Sequence, residues 1–249
     1  MTRIFDALKK SHAARGPAPI PSEPMVLQAI RPVGNPAVAR SPQDRIEIVS
    51  IGPVAPMDPE VLREMSSLRV SLEGALPARN PRSVMLLSAQ PGDGTSTVAL
   101  QFAQSLAREA DLRVLVVDAN INRSSPLFDA ARSAVRDTRG RGALDLLPLG
   151  ERLRQSGQMA VAAIRDLMQS SGAGYDWMIV DGPPLLESPE AAPLAACVDG
   201  VVLVVRAGSS KRPVLHRALD LLRRSSANVL GTILNRRRLE IPDFIYRRI

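Results

Sequence analysis

The sequence predicts an α/β domain of the doubly wound type, built on a mostly parallel sheet. Five short apolar runs rich in Val, Ile and Leu are continuous rather than alternating, which is typical of parallel strands covered on both faces. Runs with helical spacing separate them, and this alternation predicts ligand binding at the carboxyl ends of the strands. The predicted strands are Val84–Ala89, Val114–Asp118, Trp177–Asp181, Val201–Arg206 and Val229–Leu234.

A helix is predicted at the start of this domain. Asp58 can cap it, Pro59 suits its first turn, and Glu60 places an acid near its positive end. Apolar residues then recur at three- and four-residue steps as far as Leu76. We therefore expect an α/β domain over residues 58–240, followed by a basic tail over residues 241–249.

The residues before this domain have a different character. The spacing of apolar residues within residues 1–15 predicts a short amphipathic helix with Ile4, Phe5 and Leu8 on one face. So short a helix is marginal in water, so we expect it to dock on another surface. Residues 16–57 are rich in proline and lack a sustained apolar period, which predicts a disordered linker.

Composition restricts the class of protein. A chain of 249 residues can bury one substantial core, and 3% aromatic residues predict that this core is aliphatic. No apolar run is long enough to cross a bilayer, and the N-terminus has no secretory signal pattern. The single cysteine, Cys197, excludes an internal disulfide. These features predict a cytoplasmic protein.

The charge is strongly basic and is carried by arginine. The formal net charge is +7, with 29 arginines against three lysines at positions 9, 10 and 211. Such a balance suits an anionic neighbour, but a genome rich in arginine codons explains it equally well. No lysine lies between residues 11 and 210.

A phosphate-binding loop is predicted between Ser88 and Thr97, after one apolar run and before a helical one. The pattern [AG]-x4-G-K-[ST] fits residues 89–96 except at Thr95, where lysine belongs. Small residues let backbone N–H groups surround a phosphate at a helix N-terminus, although an ordinary glycine-rich turn is the alternative. The Ser96 hydroxyl is a candidate Mg²⁺ ligand. The candidate nucleotide-binding residues are Pro91, Gly92, Asp93, Gly94, Thr95, Ser96 and Thr97.

Two acidic residues follow buried strands and are candidate catalytic and metal-binding groups. Asp118 ends one apolar run and is expected to face the phosphate site, with a cap of the next turn as the alternative. Asp181 ends another run before Gly182-Pro183-Pro184, where an acid commonly holds Mg²⁺ through a water. We expect Ser96, Asp118 and Asp181 to form a Mg²⁺ site.

These motifs together resemble those of the bacterial tyrosine autokinases of capsule and exopolysaccharide assembly, within the MinD/ParA-like P-loop ATPases. The family loop S-x-x-P-G-E-G-K-S-T, its acidic D-x-D-x-R and D-x-P-P elements and its L-N-R strand end all have counterparts here. The resemblance implies a P-loop NTPase fold over residues 58–238. The matching segments are Ser88–Thr97, Asp118–Asn122, Asp181–Pro184, Leu234–Arg236 and, near the N-terminus, Arg3–Leu8.

The departures from the family pattern concern charged and phosphorylated groups. Thr95 replaces the loop lysine, Asn120 replaces the second acid, and Asn122 replaces a basic residue, which leaves Arg123 as the nearby cation. The segment 124–174 looks shortened, and the C-terminal tyrosine cluster is reduced to Tyr246. The family's E-x-x-R-x-x-R helix, which builds a ring, reads Arg63, Ser66 and Arg69, and Tyr175 opens a strand.

The resemblance and its departures together predict a degenerate member of this family. Loss of one preorganised charge at a phosphoryl group costs ~3 kcal/mol, or roughly a hundredfold in rate. We expect ATP or ADP with Mg²⁺ to bind weakly or not at all. The expected role is a pseudokinase regulator, cytoplasmic and peripheral at the inner membrane. Its expected partner is a polysaccharide co-polymerase or export protein, with self-association and no specific nucleic acid.

Two alternatives remain open. The first is an active tyrosine autokinase that uses another cation, such as Arg123, Lys211 or an arginine of a neighbouring subunit. The second is a MinD/ParA-like positioning ATPase, for which the basic C-terminal segment is the support.

Overall fold

The computed structural model describes residues 48–51, 57–109, 112–121, 128–129, 144–156 and 161–236. These residues form strands and helices that alternate along the chain. The elements are β1 Val49–Ile51, α1 Pro59–Ala75, β2 Arg82–Ser88, α2 Thr95–Glu109, β3 Val114–Asp118, β4 Leu144–Leu147, α3 Leu149–Ser156, α4 Val161–Ser171, β5 Trp177–Asp181, α5 Ala191–Ala195, β6 Gly200–Arg206, α6 Arg212–Arg224 and β7 Val229–Asn235.

The strands form one sheet in the order β1-β4-β3-β5-β2-β6-β7. All neighbours are parallel except β1, which pairs antiparallel with β4. The predicted doubly wound, mostly parallel α/β fold is therefore confirmed. The strand order brings the carboxyl ends of β3, β5 and β2 side by side, which is where the candidate site residues follow.

All five predicted strands are present, and each prediction lies within two residues of the observed bounds. Two further strands were not predicted. The strand β4 lies within the segment 124–174, and β1 lies within the range predicted as a linker. The linker prediction is wrong at Val49–Ile51, because pairing with β4 gives these three residues a place at the edge of the sheet.

Helices cover both faces of the sheet. On one face, α1 and α2 pack through side chains such as Leu72 and Phe102, and the Phe102 ring meets Trp177 edge-on at 5.8 Å between ring centroids. On the other face, α3 to α6 contribute Leu153, Ile164, Leu194 and Leu222, among others. Both cores are mainly aliphatic, as the composition predicts.

The predicted helix after Asp58 is confirmed as α1. The Asp58 carboxylate accepts a hydrogen bond from the backbone N–H of Glu60 at 2.8 Å, and Pro59 lies in the first turn. The helix ends at Ala75, one residue before the predicted end.

Several predictions lie outside the described residues. They concern the helix over residues 1–15, the rest of the linker, Asn122, Arg123, Tyr246 and the tail over residues 241–249. Within the described part, no helix combines the length and the apolar character needed to cross a bilayer.

Candidate nucleotide site

The loop between β2 and α2 has the backbone form that the motif predicts. Strand β2 ends at Ser88, helix α2 begins at Thr95, and Gly92 and Gly94 have φ angles of +87° and +91°. Such angles favour glycine strongly. A Cβ on Gly92 would meet no atom within 4 Å, so the space beside this residue is open. The first N–H groups of α2 have no partner within the helix and are available to a phosphate.

Thr95 occupies the position where the pattern requires lysine. It is the first residue of α2, and only 8% of its surface is exposed. A threonine side chain is too short to reach past the loop and carries no charge. The loop therefore offers backbone donors and a helix dipole to a phosphate, without a cation at this position.

Ser96 links the loop to the end of β5. Its hydroxyl donates a hydrogen bond to Oδ2 of Asp181 at 2.6 Å, and Asp181 is completely buried. The register of β3 against β5 pairs Asp118 with Asp181, so the two acids are neighbours at one edge of the sheet. The structure thus brings Ser96, Asp118 and Asp181 together at the end of the sheet where the loop lies.

Asn120 bridges the two acids. Its amide nitrogen lies 3.0 Å from Oδ2 of Asp181 and 3.3 Å from Oδ1 of Asp118, and its backbone N–H donates to the same Oδ1 at 3.1 Å. The departure from the family pattern at this position therefore has a structural consequence. An aspartate at position 120 would add a third negative charge, whereas the amide supplies donors to both carboxylates.

Asp181 retains one oxygen atom without a partner. Burial, together with the Asp118 charge, raises the pKa of its carboxyl to about 8, although the hydrogen bonds from Ser96 and Asn120 act to lower it. Its Oδ1 atom is buried and has no hydrogen-bond partner among the described residues. Such an atom is costly unless a ligand satisfies it.

The oxygen atoms of Asp181 and Ser96 are suitable ligands for a divalent cation. A Mg²⁺ ion prefers carboxylate, hydroxyl and phosphate oxygens, and Oδ1 of Asp181 beside the Ser96 hydroxyl offers two of these types. The described ranges contain no group of three or more His, Cys, Asp and Glu side chains suited to a metal. Protein ligation at this place would depend on Ser96 and two carboxylates, with nucleotide phosphate supplying further oxygens.

Asp93 connects the loop to β6 and β7 rather than to the two acids. Both oxygens of its carboxylate accept the Ser210 hydroxyl, at 3.2 and 3.3 Å, and its backbone carbonyl accepts the Asn235 amide at 2.8 Å. Burial raises the pKa of Asp93, while the Ser210 hydroxyl and the Arg206 charge and N–H act against this.

The sequence analysis does not predict these two contacts of the loop. It identifies Asn235 only as part of an L-N-R strand end and does not single out Ser210. Their position is the signal that could reveal them, because Ser210 follows the carboxyl end of β6 and Asn235 is the last residue of β7. A Cβ added to Gly94 would collide with the Asn235 amide, so glycine is also required there for close approach.

Two further residues bear on charge and phosphorylation: Lys211, which directly follows Ser210, and Tyr175, the tyrosine among the described residues. Lys211 is exposed at the N-terminus of α6, where its side chain makes no capping hydrogen bond. Tyr175 is 7% exposed, and its hydroxyl donates to Oδ2 of Asp145 at 2.7 Å. Burial, followed by the Asp145 contact, raises the Tyr175 pKa well above its ordinary value. Tyr175 is thus a core side chain in this structure.

Relatives of the chain carry tyrosine-kinase names. It is 26% identical to tyrosine-protein kinase YwqD of Bacillus subtilis over 205 residues, which cover 75% of this chain and 86% of that protein. It is also 26% identical to tyrosine-protein kinase etk of Escherichia coli over 186 residues, covering 68% of this chain. The succinoglycan biosynthesis transport protein ExoP of Rhizobium meliloti is 26% identical over 188 residues. The chain spans 26% of etk and 24% of ExoP.

Solved structures agree with these relatives. The tyrosine kinase domain of BceF superposes with a TM-score of 0.54 and 25% identity, covering 70% of this chain and 76% of that one. The kinase domain of VpsO gives a TM-score of 0.55 and 25% identity, covering 72% of this chain and 98% of that one. No protein-family model matches the chain. The chain is thus similar in sequence to bacterial tyrosine kinases and to a succinoglycan biosynthesis transport protein, and it has the fold of the solved kinase domains.

Proposed function

We propose that the chain is a cytoplasmic, tyrosine-kinase-like regulator of an inner-membrane complex that polymerises or exports exopolysaccharide. In this role its loop binds a nucleotide with Mg²⁺ but transfers the phosphoryl group poorly. The observation that carries the proposal is the hydrogen bond from Ser96 to Asp181, made within a loop that has Thr95 in place of lysine.

Nucleotide binding is supported by the parts of the loop that remain. The positive φ angles of Gly92 and Gly94 and the start of α2 at Thr95 orient backbone donors toward one place. The unpaired Oδ1 atom of Asp181 lies at the end of the neighbouring strand β5. A Mg²⁺ ion bound there, directly or through water, would satisfy this atom and attract phosphate.

Poor transfer is supported by the missing charge. A lysine in this loop neutralises the β- and γ-phosphates during transfer, and one such preorganised donor is worth roughly a hundredfold in rate. In the hydrogen bonds that join Ser96 to Asp181 and Asn120 to both acids, the donors are hydroxyl, amide and backbone N–H groups. These groups hold a ligand in place more readily than they compensate a developing negative charge.

A nucleotide titration tests the binding half of the proposal. Purified full chain is titrated with ATP and ADP, with and without Mg²⁺, by calorimetry. We expect binding that Mg²⁺ strengthens and that Ser96→Ala weakens at least tenfold. Ser67→Ala is the matched control, because Ser67 bonds only locally on the exposed face of α1. Absence of binding at millimolar nucleotide would contradict this half.

A phosphorylation assay tests the transfer half. After incubation with ATP and Mg²⁺, mass spectrometry of the full chain is expected to find no phosphotyrosine. Phosphorylation at Tyr246 that disappears in Ser96→Ala would support the second candidate function, an active tyrosine autokinase. That alternative is favoured by one observation, the retention of Ser96, Asp118 and Asp181 in a single site.

The partner is proposed by analogy with ExoP, a relative that is a succinoglycan biosynthesis transport protein. Residues 1–15 are proposed to dock on the membrane complex. Removal of these residues is expected to abolish co-purification with the co-polymerase and leave the melting temperature of the domain unchanged. A large fall in melting temperature with unchanged co-purification would instead make residues 1–15 part of the core.

A further inference from the structure

Helix α6 concentrates positive charge to a degree unmatched by the other described helices. It carries four arginines against one acid, Asp220, and Lys211 precedes it. Helix α1, by contrast, carries two arginines against three glutamates. The arginine excess of the whole chain is therefore not spread evenly over its helices.

The charged residues of α6 and His216 share one exposed face. At 100° per residue they fall within an arc of about 140°, while the opposite arc contains the side chains that pack on the sheet. Ala218 and Leu222 on that opposite arc are completely buried. We call the exposed set the α6 basic face, and it consists of Arg212, His216, Arg217, Asp220, Arg223 and Arg224.

This face is long and weakly neutralised. Arg212 and Arg224 are the first and last residues of the helix, so the face extends about 18 Å. Asp220 is the acid within it, and that carboxylate pairs with Arg223 at 3.4 Å in an exposed position. Exposed Arg206, the last residue of β6, and exposed Arg236, which follows β7, add positive charge beyond the helix.

One exposed apolar side chain lies on the same side of the sheet. Leu234 of β7 is 55% exposed and pairs in register with Val205, which belongs to the core beneath α6. Paired residues of neighbouring strands project from the same face of a sheet, so Leu234 projects on the α6 side. It lies near the carboxyl end of β7, which is the end of the sheet where α6 begins.

The chemistry of this surface favours lipid over nucleic acid. No Phe, Tyr or Trp ring is exposed in the described ranges, because Phe102, Phe128, Tyr175 and Trp177 are all buried, and the imidazole of His216 is the ring that this face offers to a base. A row of arginines beside an exposed leucine instead suits a headgroup layer above an apolar interior. We propose that the α6 basic face binds the surface of a membrane containing anionic phospholipid.

This inference deepens the proposed function, because it rests on a place for the chain at the inner membrane. Membrane contact through α6 would add to any docking by residues 1–15, since two weak attachments on one chain reinforce each other. It requires neither nucleotide nor a co-polymerase. Its failure in a lipid experiment is therefore distinguishable from failure of the nucleotide titration or the co-purification.

The test is sedimentation of the full chain with vesicles. Vesicles of 30% phosphatidylglycerol in phosphatidylcholine are compared with vesicles of phosphatidylcholine alone, at 0.1 M salt. The test variant is Arg217→Gln with Arg224→Gln, which leaves the Asp220–Arg223 pair intact. The matched control is Arg63→Gln with Arg108→Gln, which removes the same charge from α1 and α2 on the opposite face of the sheet.

Each arginine near an anionic surface contributes about fivefold in partition. We therefore expect the test variant to bind charged vesicles about 25-fold more weakly than wild type, and the control variant to bind within about twofold of wild type. Wild-type binding is expected to require phosphatidylglycerol and to fall at 0.5 M salt.

Three results would overturn the proposal. The first is no binding of wild type to the charged vesicles. The second is an equal loss in the test and control variants, which would indicate net charge rather than this face. The third is binding to a 30-base-pair DNA duplex that is tighter than binding to the vesicles and is weakened by the test variant alone. That result would assign the face to nucleic acid.

Discussion

Two carboxylates of the sheet differ in how completely their oxygens are satisfied. At the β1–β4 edge, Asp145 accepts the Ser50 hydroxyl on Oδ1 at 2.6 Å and the Tyr175 hydroxyl on Oδ2 at 2.7 Å. At the end of β5, Asp181 accepts two donors on Oδ2, from Ser96 and Asn120, and its buried Oδ1 has none among the described residues.

A third acid, Asp199, resembles Asp145. Its Oδ2 accepts both the backbone N–H and the hydroxyl of Ser83, at 2.9 and 2.7 Å, and its Oδ1 pairs with Arg79. Although burial acts to raise the pKa of Asp199, these donors lower it overall. Both carboxylate oxygens of Asp199, between β2 and β6, thus have hydrogen-bond donors, whereas Asp181, beside the loop, has donors on only one of its two oxygens among the described residues.

The difference separates structural acids from a site acid. A buried carboxylate oxygen without a hydrogen-bond donor lowers the free energy of unfolding, and no contact within the folded protein offsets this loss. Satisfied acids such as Asp145 and Asp199 stabilise contacts between distant segments. The incompletely satisfied Asp181 is the one that a cation could complete. The following predictions test this division.

The largest effect on stability is expected at Asp199. Asp199→Ala leaves the Ser83 N–H and the Arg79 guanidinium without their acceptor, and we expect the free energy of unfolding to fall by about 3 kcal/mol. Urea denaturation measures it, with the exposed Asp166→Ala on α4 as a control expected to change little.

The pH dependence of this loss has a definite sign. The pKa of Asp199 is lower in the folded state than its ordinary 3.8, so its stabilisation is present above that pH. It is lost as the pH falls through the folded pKa. The difference between wild type and Asp199→Ala should therefore shrink below about pH 4. A difference that grows on acidification would contradict the assignment.

Substitution of Asp145 is expected to lower the free energy of unfolding by less than substitution of Asp199. Asp145→Ala removes the acceptor of both Ser50 and Tyr175, and we expect the free energy of unfolding to fall by about 2 kcal/mol. Tyr175→Phe should cost about half as much, because it removes one of the two bonds. Hydrogen exchange should report loss of protection in β1 first. Unchanged exchange in β1 would mean that Asp145 does not fasten this strand.

A substitution in the loop is expected to increase nucleotide affinity. Thr95→Lys restores a cation where the backbone cradle is already formed, and we expect ATP affinity with Mg²⁺ to increase about tenfold. Thr232→Lys on the exposed edge of β7 adds the same charge elsewhere and should change affinity little. An unchanged affinity in folded Thr95→Lys protein would mean that the lysine side chain does not reach the phosphates.

The smallest effect on stability is expected at Asp181. Asp181→Asn keeps the shape of the side chain and removes a carboxyl whose charged form is disfavoured by burial, so the free energy of unfolding without Mg²⁺ should change by less than about 1 kcal/mol. Thermal denaturation at neutral pH measures it. A loss as large as that of Asp145→Ala would place Asp181 among the structural acids.

Local patterns were sufficient to predict much of the fold. Continuous apolar runs located β2, β3, β5, β6 and β7, and Asp58 with Pro59 located the start of α1. Each of these signals is contained within a few neighbouring residues. The strands β1 and β4 have only three and four residues, and Asp145 interrupts the apolar run of β4. Their strand conformation depends on pairing with each other and with β3, which no local pattern encodes.

The candidate site divides in the same way. The loop glycines, the missing lysine at Thr95 and the acids at the ends of two strands could be predicted from sequence, because turn residues and strand ends are local features. The bridge of Asn120 between the two acids, the bond from Ser96 to Asp181 and the contacts of Ser210 and Asn235 with Asp93 are visible only in the folded protein. These contacts join residues far apart in the chain, and they depend on the strand order, which is set by the packing of the whole sheet.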